Sequence, residues 1–294
     1  MQRLVKTIKS DLDKSVNWIW DSGDGGFFEA RYVRRCEDYF VIYLSSQSGC
    51  RQGCKMCHLT FSDQKTERNA TIDDFLIQAK AVMDYYKKSE QKANVVHFNF
   101  MARGDAFASK YFLEHGDTVL KELGILAFEN GLFPRFLIST IFPKRVSKYE
   151  IRDIFPLHHP EIYYSLYSLN NDFRNFWLPA SIPVEQALEK LVNWQNHSSK
   201  IPKIHYAFIA GQNDSQEDVH SICELINEYK LRVNINIVRY NPPSEEQGIE
   251  SPIEVIERNQ NIFKNKLSMA QVKVIPKVGF DVYASCGMFV NQLT

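Results

Sequence analysis

The sequence predicts an α/β chain folded as an open, partial (β/α)6 barrel, with a short extension over residues 1–38 leading into a barrel domain over 39–294. Three observations predict it. Apolar runs of strand length alternate with segments whose apolar residues recur at helical spacing. About six such strand–helix units precede a last strand, fewer than the eight of a closed barrel. Of 294 residues, 44% are hydrophobic and 24% charged, the composition of a globular chain long enough to bury a sizeable core.

The units follow in order. Tyr39–Leu44 is a continuous apolar run bounded by Ser45-Ser46-Gln47-Ser48-Gly49, a buried strand and its loop. Thr71 suits the cap of a helix whose apolar face is Phe75, Ala79, Val82, Met83 and Tyr86. A strand is expected over 94–100 and a helix over 111–130, stopped at Gly131. Short strands at 136–138 and 162–164 precede a helix over 183–196, with Pro183 in its first turn. A strand at 204–209, a helix beginning at Ser215 and a strand at 233–238 come next. A helix over 252–266 and a last strand at 272–275 complete the set. Strands alternating with helices imply a parallel sheet.

Lys+Arg and Asp+Glu both number 35, so the formal net charge is zero. That excludes a generally polycationic nucleic-acid coat, though not a local basic patch. No run approaches eighteen apolar residues, so no membrane-spanning helix is expected. The first six residues lack the apolar stretch of a signal peptide, and a cytoplasmic location is expected.

Cysteine spacing carries the chemistry. Of six cysteines, Cys50, Cys54 and Cys57 fall within eight residues, directly after the first predicted barrel strand. Thiolates at spacings of four and three can serve three irons of one cubane, leaving the fourth iron open to another ligand. Three other readings compete. Cys54-Lys55-Met56-Cys57-His58 is formally a haem-attachment motif, which leaves Cys50 unexplained. A Cys₃His zinc site using His58 lacks the usual paired spacing. The three could also be plain loop residues. Spacing and position at a strand's C-terminal end favour the cluster.

With these residues in place, the chain resembles the radical S-adenosylmethionine (SAM) superfamily. It is similar in particular to the large-subunit rRNA adenine C2 methyltransferases and their adenine C8 antibiotic-resistance relatives. Ser45 to Cys50 carries the likeness, followed in order by Gly104-Asp105, Ile138-Ser139-Thr140, Ser165-Leu166-Tyr167, Gly211-Gln212-Asn213-Asp214, Tyr240-Asn241-Pro242 and Ala284-Ser285-Cys286-Gly287. The resemblance implies a [4Fe-4S] cluster on Cys50, Cys54 and Cys57, with SAM chelating the open iron. Reduction by a low-potential donor such as flavodoxin or ferredoxin would then give a 5′-deoxyadenosyl radical. It implies SAM contacts from Gly104, Asp105, Ser139, Ser165, Leu166, Tyr167 and Asn241. Cys286 would carry a methyl group to a ring carbon of adenine in rRNA or tRNA, and Glu29 would accept a proton.

The chain departs from that pattern in two ways. Tyr43 stands seven residues before Cys50, where the family has a second essential cysteine that resolves the protein–RNA crosslink. A phenol can exchange a proton but cannot form a disulfide. Cys36, seven residues further back, is too far along a strand to substitute simply, and Cys223 falls on an apolar helix face. Second, the family's helical RNA-binding domain has no counterpart in the roughly 25 residues before the aligned region. Lys9, Lys14, Arg31, Arg34, Arg35 and Arg51 are the candidates for phosphate contacts. Two alternatives stand beside RNA methylation: a radical SAM reaction on another substrate, and a non-catalytic RNA-binding relative.

Overall fold

The computed structural model describes residues 3–89 and 91–290. Residues 1–2 of the expected extension and 291–294 of the expected barrel domain lie outside the described residues. Three antiparallel strands come first: β1 (Arg3–Lys9), β2 (Val16–Asp21) and β3 (Phe27–Val33). β4 (Tyr39–Leu44) pairs antiparallel with β3. From β4 onward every pairing is parallel: β5 (Val95–Phe100), β6 (Phe133–Thr140), β7 (Glu161–Ser165), β8 (Lys203–Tyr206), β9 (Asn234–Val238) and β10 (Val272–Ile275). The helices are α1 (His58–Phe61), α2 (Ile72–Lys87), α3 (Lys110–Glu129), α4 (Ile151–Ile154), α5 (Asn171–Trp177), α6 (Val184–Ser198), α7 (Gln216–Glu228) and α8 (Ile253–Lys266). All ten strands lie in one sheet in chain order. The parallel strands β4–β10 are six β/α units and a last strand, as the alternating pattern predicts.

Residues 3–33 fall in the expected short extension, and three strands of the sheet lie within them. Glu29 and Arg31 alternate with Phe28, Ala30 and Tyr32, which suggests a solvent face, yet both charged residues are buried. No helix among the described residues is long and apolar enough to cross a membrane.

Side-chain alternation divides the barrel into two environments. Phe40, Ile42 and Leu44 of β4, with Val96, Phe98 and Phe100 of β5, enter the apolar core beneath the helices. Phe75, Phe100, Phe112 and Phe155 form a chain of ring contacts there, with centroids 4.8–6.0 Å apart. Tyr43, His97 and Asn99, at the intervening positions, face the barrel interior. After β10 the chain turns back to the first strands. The Ser10 hydroxyl donates to Asp281 Oδ1 (2.7 Å), the Gly279 amide to Asp13 Oδ2 (2.7 Å) and Asn17 Nδ2 to the Val282 carbonyl (3.1 Å). Residues 276–290 thereby bridge the open side of the sheet.

α2 begins with a capping box: Thr71 accepts from the Asp74 amide, and Asp74 Oδ2 accepts from the Thr71 amide at 2.9 Å. Arg68 donates to both oxygens of the same carboxylate at 2.9 Å. Thr71→Ala should lower unfolding free energy by about 1 kcal/mol, measured as a lower urea midpoint with an unchanged denaturant slope.

Candidate active site

A cavity of about 360 Å³ occupies the barrel interior, within the range of small-molecule sites. Cys50, Cys54 and Cys57 on the β4–α1 loop and Cys286 on the C-terminal segment share its lining. The loop is fixed by backbone bonds. The Cys50 amide donates to Gln64 O (3.0 Å), Lys55 N to Trp177 O (3.0 Å), Cys57 N to Cys54 O (3.1 Å) and His58 N to Gly287 O (3.1 Å). The last of these ties the cysteine loop to the segment carrying Cys286.

Burial pushes the Cys50 thiol up to about 12, helped by the nearby Cys57, and raises Cys54 and Cys57 as well. Three bare thiolates therefore repel one another in surroundings that solvate them poorly, and a cationic partner would relieve all three. Among the described residues no three His, Cys, Asp or Glu side chains converge on a single-ion position. A cubane needs instead one thiolate at each of three separate corners. His58 Nε2 lies 3.3 Å from the Asn241 carbonyl, which can only accept, so that nitrogen carries the proton. Three thiols with no convergent single-ion position among the described residues suit an iron–sulfur cluster better than one zinc ion.

The other expected site residues fall into two groups. Gly104, Asp105, Ser139, Ser165, Asn241 and Tyr43 line the cavity. Gly104 has φ +81°, and a Cβ there would lie 2.7 Å from Gln47 Cβ, so only glycine fits. Asp105 is held in place: its oxygens accept from the Phe107 amide (2.9 Å), the Thr140 hydroxyl (3.0 Å) and the Ile141 amide (2.9 Å). Burial nevertheless raises its pKa to about 6 against those bonds. Asn241 Nδ2 donates to the Cys286 carbonyl (2.9 Å), while its buried Oδ1 has no donor among the described residues. Such an orphaned acceptor in a cavity wall suits a ligand N–H.

Leu166, Tyr167 and Glu29 are outside the lining. Leu166 points into the helix-side core. Tyr167, at φ +60°, packs with Met56, Ile141 and Trp177, and its pKa is raised by burial and then by the neighbouring Cys286. Glu29 is fully buried. Its Oε1 accepts from Arg103 Nε (2.7 Å) and the Val290 amide (3.1 Å), its Oε2 from Arg31 Nη2 (2.8 Å) and Asn17 Nδ2 (2.9 Å). With four donors engaged it organises structure and faces no substrate space. Arg31, expected as a phosphate contact, is buried in this group and also donates to Met288 O (2.7 Å). Of the remaining cysteines, Cys223 is buried and Cys36 is exposed outside the cavity.

Sequence reasoning missed Arg103, fully buried and donating to Glu29 and, at 2.6 Å, to the Val290 carbonyl. Its signal was a lone cation directly after the apolar run Phe100-Met101-Ala102. It also missed cavity-lining Asn99, whose buried Oδ1 has no donor among the described residues.

An open parallel barrel with three cysteines after its first parallel strand already defines a class, and comparison with known proteins agrees. No protein-family model matches the chain. A probable dual-specificity RNA methyltransferase RlmN of Clostridium beijerinckii is 26% identical over 294 residues, 98% of this chain and 77% of the relative. A second, from Desulforamulus reducens, is 27% identical over 279 residues, 93% and 73%. In structure, a radical SAM methyltransferase from Sphaerobacter thermophilus superposes with a TM-score of 0.81 over 99% of this chain and 82% of that one, at 19% identity, a likeness of fold. Over nearly its whole length the chain is thus a distant relative of the RlmN-type RNA methyltransferases, and it has the fold of a radical SAM methyltransferase.

Burial raises the Glu29 pKa, but Arg103, Arg31 and Asn17 outweigh it and hold the carboxyl below its ordinary 4.5. Its contribution to stability is complete above 4.5 and is lost as pH falls through the lower folded value. Glu29→Gln should cost about 3–5 kcal/mol at pH 7. The gap to wild type should narrow in urea titrations repeated at progressively lower pH below 4.5.

Proposed function

We propose that the chain is a radical SAM methyltransferase acting on an adenine ring carbon of RNA, with Cys286 as methyl carrier. One observation supports it above the others: Cys286 shares a cavity with Cys50, Cys54 and Cys57 and is joined to their loop through the His58–Gly287 bond. Cys50, Cys54 and Cys57 would hold a [4Fe-4S] cluster, and Gly104, Asp105, Ser139, Ser165 and Asn241 would seat SAM beside it. When bound, this pair supplies hydrogen-atom abstraction and a methyl group, the chemistry an unactivated aromatic carbon requires.

The chain's own residues set the rest. Cys286 is accessible from the cavity, and burial, then Cys57, pushes its thiol up to about 11. Arg31 and Arg35 act in the opposite direction and favour the thiolate needed for methylation. Tyr43 accepts a hydrogen bond from Arg35 Nη2 (3.1 Å) at the cavity wall, where it can pass a proton.

A second reading has its own support. Apart from the three cluster cysteines, the cavity lining offers no thiol to pair with Cys286. A reaction that ends without disulfide release, on the same scaffold, fits that arrangement.

Anaerobically reconstituted protein should bind about four irons and, on reduction, release 5′-deoxyadenosine from SAM. Cys54→Ala should abolish both. Labelled methyl from SAM should be found on Cys286 by peptide mass spectrometry. A stoichiometric zinc ion without iron absorbance contradicts the cluster, and an unmodified Cys286 throughout turnover contradicts the carrier. Incubation with RNA separates the two readings: a trapped crosslink relieved by Tyr43→Cys supports RNA methylation, and repeated turnover without crosslink or added thiol supports the second.

A further inference from the structure

The cavity continues past the cysteine end into the deep half of the barrel, where Lys203, His205, Asn236 and Lys273 have no part in the chemistry proposed above. We infer that this deep half is an oxyanion subsite that takes the phosphate of the nucleotide substrate; the nucleotide as its source rests on the RNA reading above.

The strand register sets out the site. Ser165 pairs with His205, His205 with Asn236 and Asn236 with Lys273. Four neighbouring strands thus present four polar side chains at one level, all lining the cavity. Branched apolar residues fill such a layer when its only task is packing. Beside it Lys203 Nζ donates to the Tyr163 hydroxyl (2.7 Å) and to Glu161 Oε2 (2.9 Å). Arg135 also pairs with Glu161, so one carboxylate serves two cations.

Arg35 and Lys273 lie outside that balance. Both line the cavity, and among the described residues neither has an acid within salt-bridge distance. Arg35 has only the Tyr43 hydroxyl. Arg35 and Lys273 are also exposed to solvent, so this end of the cavity is open and carries cations that an incoming anion can reach. The imidazoles add donors and acceptors without adding charge. Burial, then Lys203 and Arg35, drives His205 down to about 3, and burial, then Arg135, drives His97 down to about 4. Their orientation is set by rings: Tyr39 stacks on His97 at 4.2 Å and Tyr163 tilts against His205 at 4.7 Å.

Asn99 points to what lies above the anion. It is 4% exposed, and among the described residues its Oδ1 has no donor. His97 follows two residues deeper along the same strand, about 7 Å by strand rise. A ligand donating from a hydroxyl or amine at Asn99 and ending in an oxyanion near Arg35 and Lys203 has the layout of a nucleotide. A nucleoside would leave the cations unused.

Titration calorimetry of the cluster-loaded protein with adenosine 5′-monophosphate, adenosine and inorganic phosphate tests this. The monophosphate should bind more tightly than adenosine. Arg35→Gln and Lys203→Met should each weaken it by about tenfold, the loss of one charge-assisted hydrogen bond, and leave adenosine binding unchanged. Arg35→Lys should retain most of the affinity, and circular dichroism with iron content checks that each variant is folded. Equal binding of monophosphate and adenosine, or undiminished binding by both folded variants, overturns the subsite. Inorganic phosphate binding as tightly as the monophosphate overturns the nucleotide as occupant. SAM cleavage measured in the same samples keeps the readings apart: cleavage without monophosphate binding defeats only the subsite, and binding without cleavage defeats only the radical chemistry.

Discussion

Glu29, Arg31 and Arg103 form a buried charge cluster on which the geometry of the cavity depends. Taking three ions out of water costs several kcal/mol each, and only close pairing with further hydrogen bonds offsets it. Glu29 reaches that state by accepting from two guanidinium groups, one amide side chain and one backbone N–H. Arg31 and Arg103 then donate to the Met288 and Val290 carbonyls. The same three side chains therefore hold β3, the end of β5 and the C-terminal segment together. The carrier candidate Cys286 sits two residues before the first of those anchored carbonyls.

The cluster carries one more positive charge than negative. Arg103 and Arg31 favour the Cys57 thiolate, and Arg31 favours that of Cys286. A group needed to fix the chain thus also biases the cavity toward thiolates, against the burial that raises every cysteine there. The period-two alternation of the strands supplies the rest. One face gives the helices an aromatic core, and the other gives the barrel an interior of asparagine, serine, histidine and lysine.

Much of this was legible in the sequence. The barrel strands and helices announce themselves by apolar periodicity, and the Thr71, Pro183 and Ser215 boundaries by cap chemistry. The spacing of Cys50, Cys54 and Cys57 singled them out, and all three line the cavity. The burial of Glu29 and Arg31 was not legible, because a charged residue alternating with apolar ones reads as solvent-facing until Arg103, 74 residues beyond Glu29, is known as a partner. Arg103 was invisible for the same reason, since burial of a cation is decided by long-range pairing. The polar layer from Ser165 to Lys273 comes from four strands dispersed over a hundred residues, and only the register assembles it. Leu166 shows the converse: it adjoins cavity-lining Ser165, but a single step along a strand moves its side chain to the other face.

The central claim is that the Glu29 charge cluster holds residues 276–290 across the open barrel. Amide hydrogen exchange, followed by mass spectrometry in wild type and Glu29→Gln, tests it most directly. The account predicts faster exchange concentrated in peptides covering 276–290 and the end of β5, with the helix-side core unchanged. Equal protection of the C-terminal segment in both proteins would contradict it.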